Sequence, residues 1–279
     1  MKKIYNMESN YVKNKLEQIN REGYGLHLEN VLSTAFDIHK KIILPGFIAT
    51  LLYVFAMLVM SLTMFETLYG INLAEFMDMV QRNPAAVEST MGNIGMTSML
   101  IYSLVFGVVT GLITPLLAGI YKIAYHTQYG GSPSISGLFY YYRQPYFLNI
   151  FIYSFLFAAV IQFLNLFLAQ SLPIWGAILA FLIQVVVSVT FVLTVPFIVF
   201  ANYSWIEALK ASMNVTTKNW FFLFFILVIS LIISILGVIF CGIGILFTYP
   251  FIHIATFVLY DKIIGFSKGE DLISEIGQP

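Results

Sequence analysis

The sequence predicts an all-α fold: a polytopic transmembrane bundle of six helices, built from three repeats of an interfacial helix plus a transmembrane hairpin. Hydrophobic residues make up 59% of the 279 residues and charged residues only 10%, against roughly 25% charged in soluble domains. After Lys41 the chain is dominated by uncharged runs that exceed the about 20 residues needed to cross a bilayer. A segment with threonine close to proline recurs three times, which indicates the repeat.

The uncharged runs divide the chain into three parts. Residues 1–41 are polar and basic, and we expect them to form a cytoplasmic or interfacial arm. Residues 42–264 form the six-span membrane domain, and residues 265–279 form a cytoplasmic tail. The charge-free stretches 144–206 and 219–260 are each too long for one span and suit two. The predicted spans are about 42–65, 97–121, 147–169, 173–200, 220–240 and 243–260, with a long outer loop over 66–93.

The outer loop contains one predicted helix and sets the orientation of the chain. Asn72 and Glu75 have the spacing of a capping box, and the helix that they begin should end before Pro84. Of the 14 lysines and arginines, only Arg82 lies in this loop or in the other outer turns. Since basic residues concentrate in cytoplasmic segments, we predict that both termini are cytoplasmic.

Each repeat is predicted to begin with a residue that caps a helix N-terminus: Asn30, Ser134 and Ser204. A short mixed helix and a span follow. The returning span of each repeat then contains the threonine and proline, at Thr114-Pro115, Thr194-Val-Pro196 and Thr248-Tyr-Pro250.

Small residues precede the first of these prolines at steps of four. Such a stripe lets membrane helices approach closely, and neighbouring helices can satisfy the carbonyls that proline leaves without a donor. We therefore predict that the following residues are helix-packing and kink positions that face the bundle interior: Ser103, Gly107, Gly111, Thr114, Pro115, Thr194, Pro196, Thr248 and Pro250.

Few polar side chains lie within the predicted spans. His253 is the one ionisable group there, and such groups are functional candidates. The absence of Asp, Glu, Lys and Arg from the spans argues against an ion-coupled pump. Gln162, Asn165, Gln184 and His253 together define a candidate interior polar path. The alternative interpretation is that these side chains hydrogen bond to neighbouring helices and only hold them together.

Catalytic and metal sites are not indicated. The histidines, His27, His39, His126 and His253, show no ligand spacing such as H-x-H, and no nucleophile, phosphate-loop or dinucleotide motif occurs. Cys241, at a predicted hairpin turn, is expected to pack. We predict no catalytic residue, no cofactor and no metal ion.

Aromatic and basic residues indicate where the chain meets the membrane surface. Phe139–Tyr142 and Tyr146 are typical of an aromatic belt at the membrane interface. Several basic residues flank the predicted cytoplasmic surface and suit anionic headgroups, although ordinary topology signals explain them equally well: Lys40, Lys41, Arg143, Lys210 and Lys218.

The third repeat carries a resemblance to a known group. Its residues are WIEALKAS from Trp205, Asn219-Trp220, Gly242-Ile-Gly244, Thr248-x-Pro250 and Tyr260. They resemble a group of uncharacterised bacterial six-span membrane proteins, which includes the membrane domain of some glycerophosphodiester phosphodiesterases and Bacteroidota proteins labelled carotene oxygenase. The resemblance covers residues 200–262 and extends to the rest only by architecture. It implies a bacterial inner membrane protein and no defined chemistry, because the scattered histidines do not support an oxygenase iron site.

Together these observations predict a non-enzymatic integral membrane protein of the bacterial inner membrane, either a scaffold or accessory subunit or a lipid-handling protein. We expect membrane lipids as partners, along with a protein partner in a membrane complex, and no nucleic acid. The alternative is a transporter of an uncharged or apolar solute. A membrane enzyme that acts on lipid or isoprenoid is the third hypothesis.

Overall fold

The computed structural model describes residues 2–83, 87, 94–172, 175–239 and 242–266, and these residues form helices and turns without a β-strand among them. The α-helices in chain order are α1 Lys2–Glu22, α2 Leu28–Lys41, α3 Ile43–Met64, α4 Leu73–Arg82, α5 Met96–Gln128, α6 Tyr146–Ser171, α7 Trp175–Thr190, α8 Thr194–Phe200, α9 Trp205–Thr216, α10 Trp220–Leu236, α11 Ile245–Thr248 and α12 Pro250–Ile263. A π-helix covers Phe65–Tyr69, and 3₁₀ segments cover Ile135–Tyr142, Thr217–Asn219 and Gly237–Ile239.

Within the described residues, five helical stretches are long and apolar enough to cross a membrane: Ile43–Tyr69, Met96–Gln128, Tyr146–Ser171, Trp175–Phe200 and Trp205–Ile239. They correspond to the first five predicted spans. The fifth stretch also takes in α9, because only a short 3₁₀ turn separates α9 from α10. Several apolar helices of this length are typical of a multi-pass integral membrane protein.

The predicted sixth span, 243–260, is interrupted. It consists of α11, with 4 residues, and α12, with 14 residues, and the two are separated at Tyr249. Pro250 is the first residue of α12, a position where its missing N–H costs little. Neither helix alone reaches spanning length, so six spans stay a prediction. Cys241, at the predicted turn before α11, lies outside the described residues.

The chain folds into two compact units. Unit 1 consists of Met1–Leu51, Pro115–Asn149 and Val189–Pro279, and unit 2 consists of Leu52–Thr114 and Ile150–Ser188.

The core of unit 1 is helix α12. Its Phe251, Phe257 and Tyr260 are fully buried, as are its smaller residues Ile254, Ala255, Val258 and Leu259. Helix α12 packs against α2, α10 and α8. A helix that is hydrophobic on all sides belongs in a protein core or a membrane, and the packing in unit 1 encloses α12 within protein.

The N-terminal segment is part of unit 1. The Tyr11 hydroxyl donates to the carbonyl of Ile264 at 3.0 Å, beyond the end of α12. The Tyr24 hydroxyl donates to the carbonyl of Val215 in α9 at 3.2 Å, and Lys218 Nζ donates to the carbonyl of Asn20 at 3.3 Å. Three hydrogen bonds therefore join the N-terminal segment to the C-terminal half of the chain.

Unit 2 has its own small core. Met60, Leu68, Ile94, Met99 and Tyr102 are buried together, and Phe106 and Phe163 pack on them.

Of the four predicted helix caps, two agree with the structure, one is wrong, and one forms no side-chain cap bond. Asn72 and Glu75 form the predicted capping box, with Glu75 N donating to Asn72 Oδ1 at 2.9 Å, and α4 ends at Arg82, before Pro84. Ser204 caps α9 and forms a second box with Glu207. The prediction for Asn30 is wrong because α2 begins earlier, at Leu28, and carries its buried stripe of Val31, Ala35 and Ile38 from that start. Ser134 precedes a 3₁₀ segment and forms no side-chain cap bond.

Candidate functional site

The residues of the predicted polar path fall into different units. Gln162 and Asn165 on α6 and Gln184 on α7 belong to unit 2, and all three are half-buried. Gln184 Nε2 donates to Ser188 Oγ one turn along the same helix, at 3.1 Å. His253 belongs to unit 1. A continuous path through these four residues stays a prediction.

His253 lies among aromatic rings in unit 1. Its imidazole centroid is 5.5 Å from the ring of Tyr249 and 6.1 Å from that of Tyr121. Its Nε2 atom is buried and has no hydrogen-bond partner among the described residues. The neighbouring tyrosine rings therefore pack on the imidazole ring, and no described residue hydrogen bonds to this nitrogen.

The second threonine–proline position lies at a break between α7 and α8. Thr194 and Pro196 are buried just after the turn at Phe191–Leu193. The carbonyl of Thr190 accepts hydrogen bonds from Ser212 Oγ and Thr216 Oγ1 on α9, each at 2.9 Å. Ser212 Oγ also accepts from the backbone N–H of Leu193 at 3.2 Å. Hydroxyl groups from α9 therefore satisfy the backbone at the break.

The third threonine–proline position joins α10, α11 and α3. Thr248 Oγ1 donates to the carbonyl of Ser234 on α10 at 2.6 Å. Pro250 is buried against α3, where a Cβ added to Gly46 would stand 2.9 Å from the Pro250 ring. Gly46 therefore allows the Pro250 ring to lie directly against the backbone of α3.

The first position lies in α5, which continues without a break through Pro115. Thr114 Oγ1 donates to the carbonyl of Thr110 at 2.7 Å, and the buried Ser103 Oγ donates to that of Met99 at 2.7 Å. In unit 2, a Cβ added to Gly107 would stand 2.8 Å from the carbonyl oxygen of Phe155 on α6, and one added to Gly111 would stand 2.9 Å from the Phe151 ring. The two glycines thus mark a close helix contact.

A cation–aromatic cluster in unit 1, formed by Lys122, Tyr140 and Arg143, is the most unusual polar site. Lys122 Nζ lies 3.0 Å from the ring centroid of Tyr140, and Arg143 Cζ lies 4.7 Å from the same centroid. Only 8% of Lys122 is exposed, whereas Arg143 is exposed. Lys122 comes from the last two turns of α5, and the other two residues come from the 3₁₀ segment and its end.

Among the residues that the structure describes, the two positive charges of the cluster have no acidic partner. The ion pairs among the described residues join Arg21 to Glu17, Lys40 to Asp37 and Arg82 to Asp78, and none includes Lys122 or Arg143. A cation over a desolvated aromatic ring gains about 2 kcal/mol, while the burial of an ammonium group costs several kcal/mol. The aromatic ring alone therefore offsets only part of the cost of burying the Lys122 ammonium group.

Sequence reasoning found part of this cluster. It identified Tyr140 in the aromatic belt and Arg143 among the basic residues near the membrane, but it missed Lys122. The available signal was a lysine directly after the predicted second span, 97–121. Helix α5 continues to Gln128, and this extension carries Lys122 onto the aromatic segment.

Metal-binding groups and pockets are two further kinds of candidate site among the described residues. Among the described residues, no group of three or more His, Cys, Asp or Glu side chains is arranged to hold a metal ion. A pocket of about 140 Å³ in unit 2 is lined by Ile94, Met96, Met99, Phe167, Gln170 and Ser171.

The fold defines the class of a helical, multi-pass integral membrane protein. The chain matches no protein-family model, no curated protein and no solved structure.

Proposed function

We propose that the chain is a non-enzymatic, lipid-handling or accessory protein of the bacterial inner membrane, with helices α1, α2 and α9 of unit 1 at the cytoplasmic surface. The observation that carries this proposal is the composition of unit 1. Helices α1, α2 and α9 are amphipathic or mixed in sequence, and α2 packs directly on the buried α12, while α1 contacts α9. Such helices bind at the interface between headgroups and acyl chains.

The proposal includes six spans with both termini in the cytoplasm. Helices α11 and α12 together cover Ile245–Ile263 with one interruption, and at 1.5 Å per residue this stretch is about 28 Å long, close to the thickness of the hydrocarbon core. A sixth crossing also returns Lys262 and Lys268 to the side that carries the other basic residues, apart from Arg82.

The resemblance of residues 200–262 to the bacterial six-span group supports the same architecture. In the structure, the motif residues of α9 lie against the break between α7 and α8, and Tyr260 is buried in the core. These are packing roles, and they support a scaffold or lipid-handling function more than catalysis.

A transporter of an uncharged or apolar solute is the second candidate. One observation favours it: the buried Nε2 of His253, which has no hydrogen-bond partner among the described residues. A polar solute group passing this point would supply the missing bond. In that case His253→Ala would abolish transport while assembly stays normal, whereas the first proposal expects His253→Ala and Gln184→Leu to leave function intact.

The experiment that tests the first proposal is co-purification from native membranes in a mild detergent, followed by mass spectrometry of the intact complex. Another multi-pass protein purified from the same membranes is the control for bulk lipid. Enrichment of particular lipids over that control, or a stoichiometric protein partner, supports the proposal. A stoichiometric non-lipid solute supports the transporter instead. Lipids in bulk proportions without any partner contradict the proposal.

A further inference from the structure

The cation–aromatic cluster suggests which lipid chemistry unit 1 recognises; this step rests on the proposed lipid-handling function. We propose that Lys122 and Arg143 bind a phosphate group, and that the phosphate belongs to the headgroup of an anionic phospholipid at the cytoplasmic surface.

The cluster concentrates positive charge. Both cations lie over one Tyr140 ring, which brings Lys122 Nζ and Arg143 Cζ to within about 8 Å of each other. No acidic side chain pairs with either of them among the described residues. A phosphate accepts charge-assisted hydrogen bonds of about 2.8 Å from ammonium and guanidinium groups. A phosphate bound beside the cluster would neutralise the mutual repulsion of the two cations.

The cluster is accessible from the protein surface on one side. Lys122 is buried at the inner side of the cluster, whereas Arg143 is exposed at its outer side. An anion that approaches from the surface therefore contacts the exposed guanidinium group of Arg143 before the buried ammonium group of Lys122. The site therefore has an open side, and the buried lysine is its inner limit.

The position of the cluster favours a lipid over a soluble phosphate compound. Lys122 lies in an apolar helix of membrane-spanning length, six residues before its end, and at 1.5 Å per residue this is about 9 Å from the helix terminus. Phe139 and Tyr142, which flank Tyr140, are exposed and pair with each other at a centroid distance of 6.3 Å. Exposed aromatic rings at this level are typical of the headgroup region, where they would contact the upper part of an acyl chain.

The test measures thermal unfolding of the purified full-length chain in neutral detergent, followed by tryptophan fluorescence. The probes are dihexanoyl-phosphatidylglycerol, dihexanoyl-phosphatidylcholine and sodium phosphate, titrated at constant ionic strength because salt screens surface charges. The variants are Arg143→Gln and Lys122→Met. Lys262→Met is the matched control, since Lys262 is an exposed lysine close to the end of the last predicted span.

We expect phosphatidylglycerol to raise the melting temperature of the wild type and of Lys262→Met at lower concentrations than phosphatidylcholine. Each cluster variant loses one charge-assisted contact, so the half-maximal phosphatidylglycerol concentration should rise by about tenfold or more. Arg143 is exposed, so Arg143→Gln should fold even where Lys122→Met does not, and it alone then decides the outcome.

Equal responses of all variants to phosphatidylglycerol overturn the proposal, because binding would then reflect general surface charge. A response to sodium phosphate that equals the response to phosphatidylglycerol overturns the assignment to lipid. The two failures are separable: a lipid that co-purifies from native membranes but binds independently of Lys122 and Arg143 leaves the proposed function intact and removes only this site.

Discussion

Replacement of Gly107 by leucine should disrupt the contact between α5 and α6 in unit 2. A Cβ at position 107 would stand 2.8 Å from the Phe155 carbonyl oxygen and 2.9 Å from the Ala159 Cβ. Carbon atoms pack at about 3.5 Å or more, so even alanine places its methyl group roughly 0.6 Å too close to Ala159. Because a backbone oxygen forms one side of the contact, a rotamer change does not relieve it.

The magnitude follows from two opposing effects. Alanine gains about 1 kcal/mol over glycine in helix propensity, and overpacking costs about 1–3 kcal/mol. Gly107→Ala should therefore lose about 0–2 kcal/mol of unfolding free energy. Gly107→Leu adds three more carbon atoms at the same point, and we expect a loss of about 3 kcal/mol, the upper end of the overpacking range.

The assay is thermal unfolding in detergent, with Val108→Leu as the matched control. Val108 is the next residue of α5 and is exposed, so it is a surface position for the same leucine side chain. A loss of about 3 kcal/mol corresponds to a melting temperature lower by roughly 6–12 °C, by the scale of soluble domains of 150–250 residues. A melting temperature of Gly107→Leu equal to that of Val108→Leu would refute the close contact.

Two further predictions concern unit 1. Ser212→Ala removes the acceptor of the Leu193 N–H and one donor to the Thr190 carbonyl, so it should lower the free energy of unfolding by about 1–3 kcal/mol. The control in the thermal melt is Thr217→Ala, an exposed site whose hydroxyl bonds only to α9, the helix before it. An equal loss in both variants would contradict the role of Ser212. Burial lowers the pKa of His39 from its usual 6.5, so protonation favours the unfolded state. Stability should therefore be fully present above about pH 6.5 and decrease as the pH falls through the lowered pKa. His39→Gln should melt with a smaller loss between about pH 7.5 and pH 5 than the wild type, and an identical loss would show that His39 does not cause it.

Local patterns in the sequence predicted local structure well where the determining residues are close together. The capping box of Asn72 and Glu75 needs only residues within one turn of α4, and the structure has both of its hydrogen bonds. The uncharged runs predicted six spans, and the first five correspond to helices of membrane-spanning length, because length and polarity are properties of each run by itself. The start of α2 was misplaced because His27 precedes the helix without a side-chain cap bond, and so provides no capping signal.

Features that depend on distant contacts were not predictable in the same way. Residues 250–260 are apolar on every side, a pattern that suits a span and a protein core equally. Their burial depends on α8 and α10 and also on α2, which lies more than 200 residues earlier in the chain. The position of Lys122 against Tyr140 depends on how the 3₁₀ segment folds back on α5, and no periodicity in the sequence encodes that return.

The most direct test concerns the proposal that helices α1, α2 and α9 of unit 1 lie at the cytoplasmic surface, with both termini on that side. Single cysteines at Asn14, Gln81 and Ser274, each in a Cys241→Ser background, test it by labelling with a membrane-impermeant maleimide in oriented vesicles. We predict that positions 14 and 274 react only from the cytoplasmic side and position 81 only from the opposite side. Reaction of position 274 from the same side as position 81 would show five spans and contradict the account.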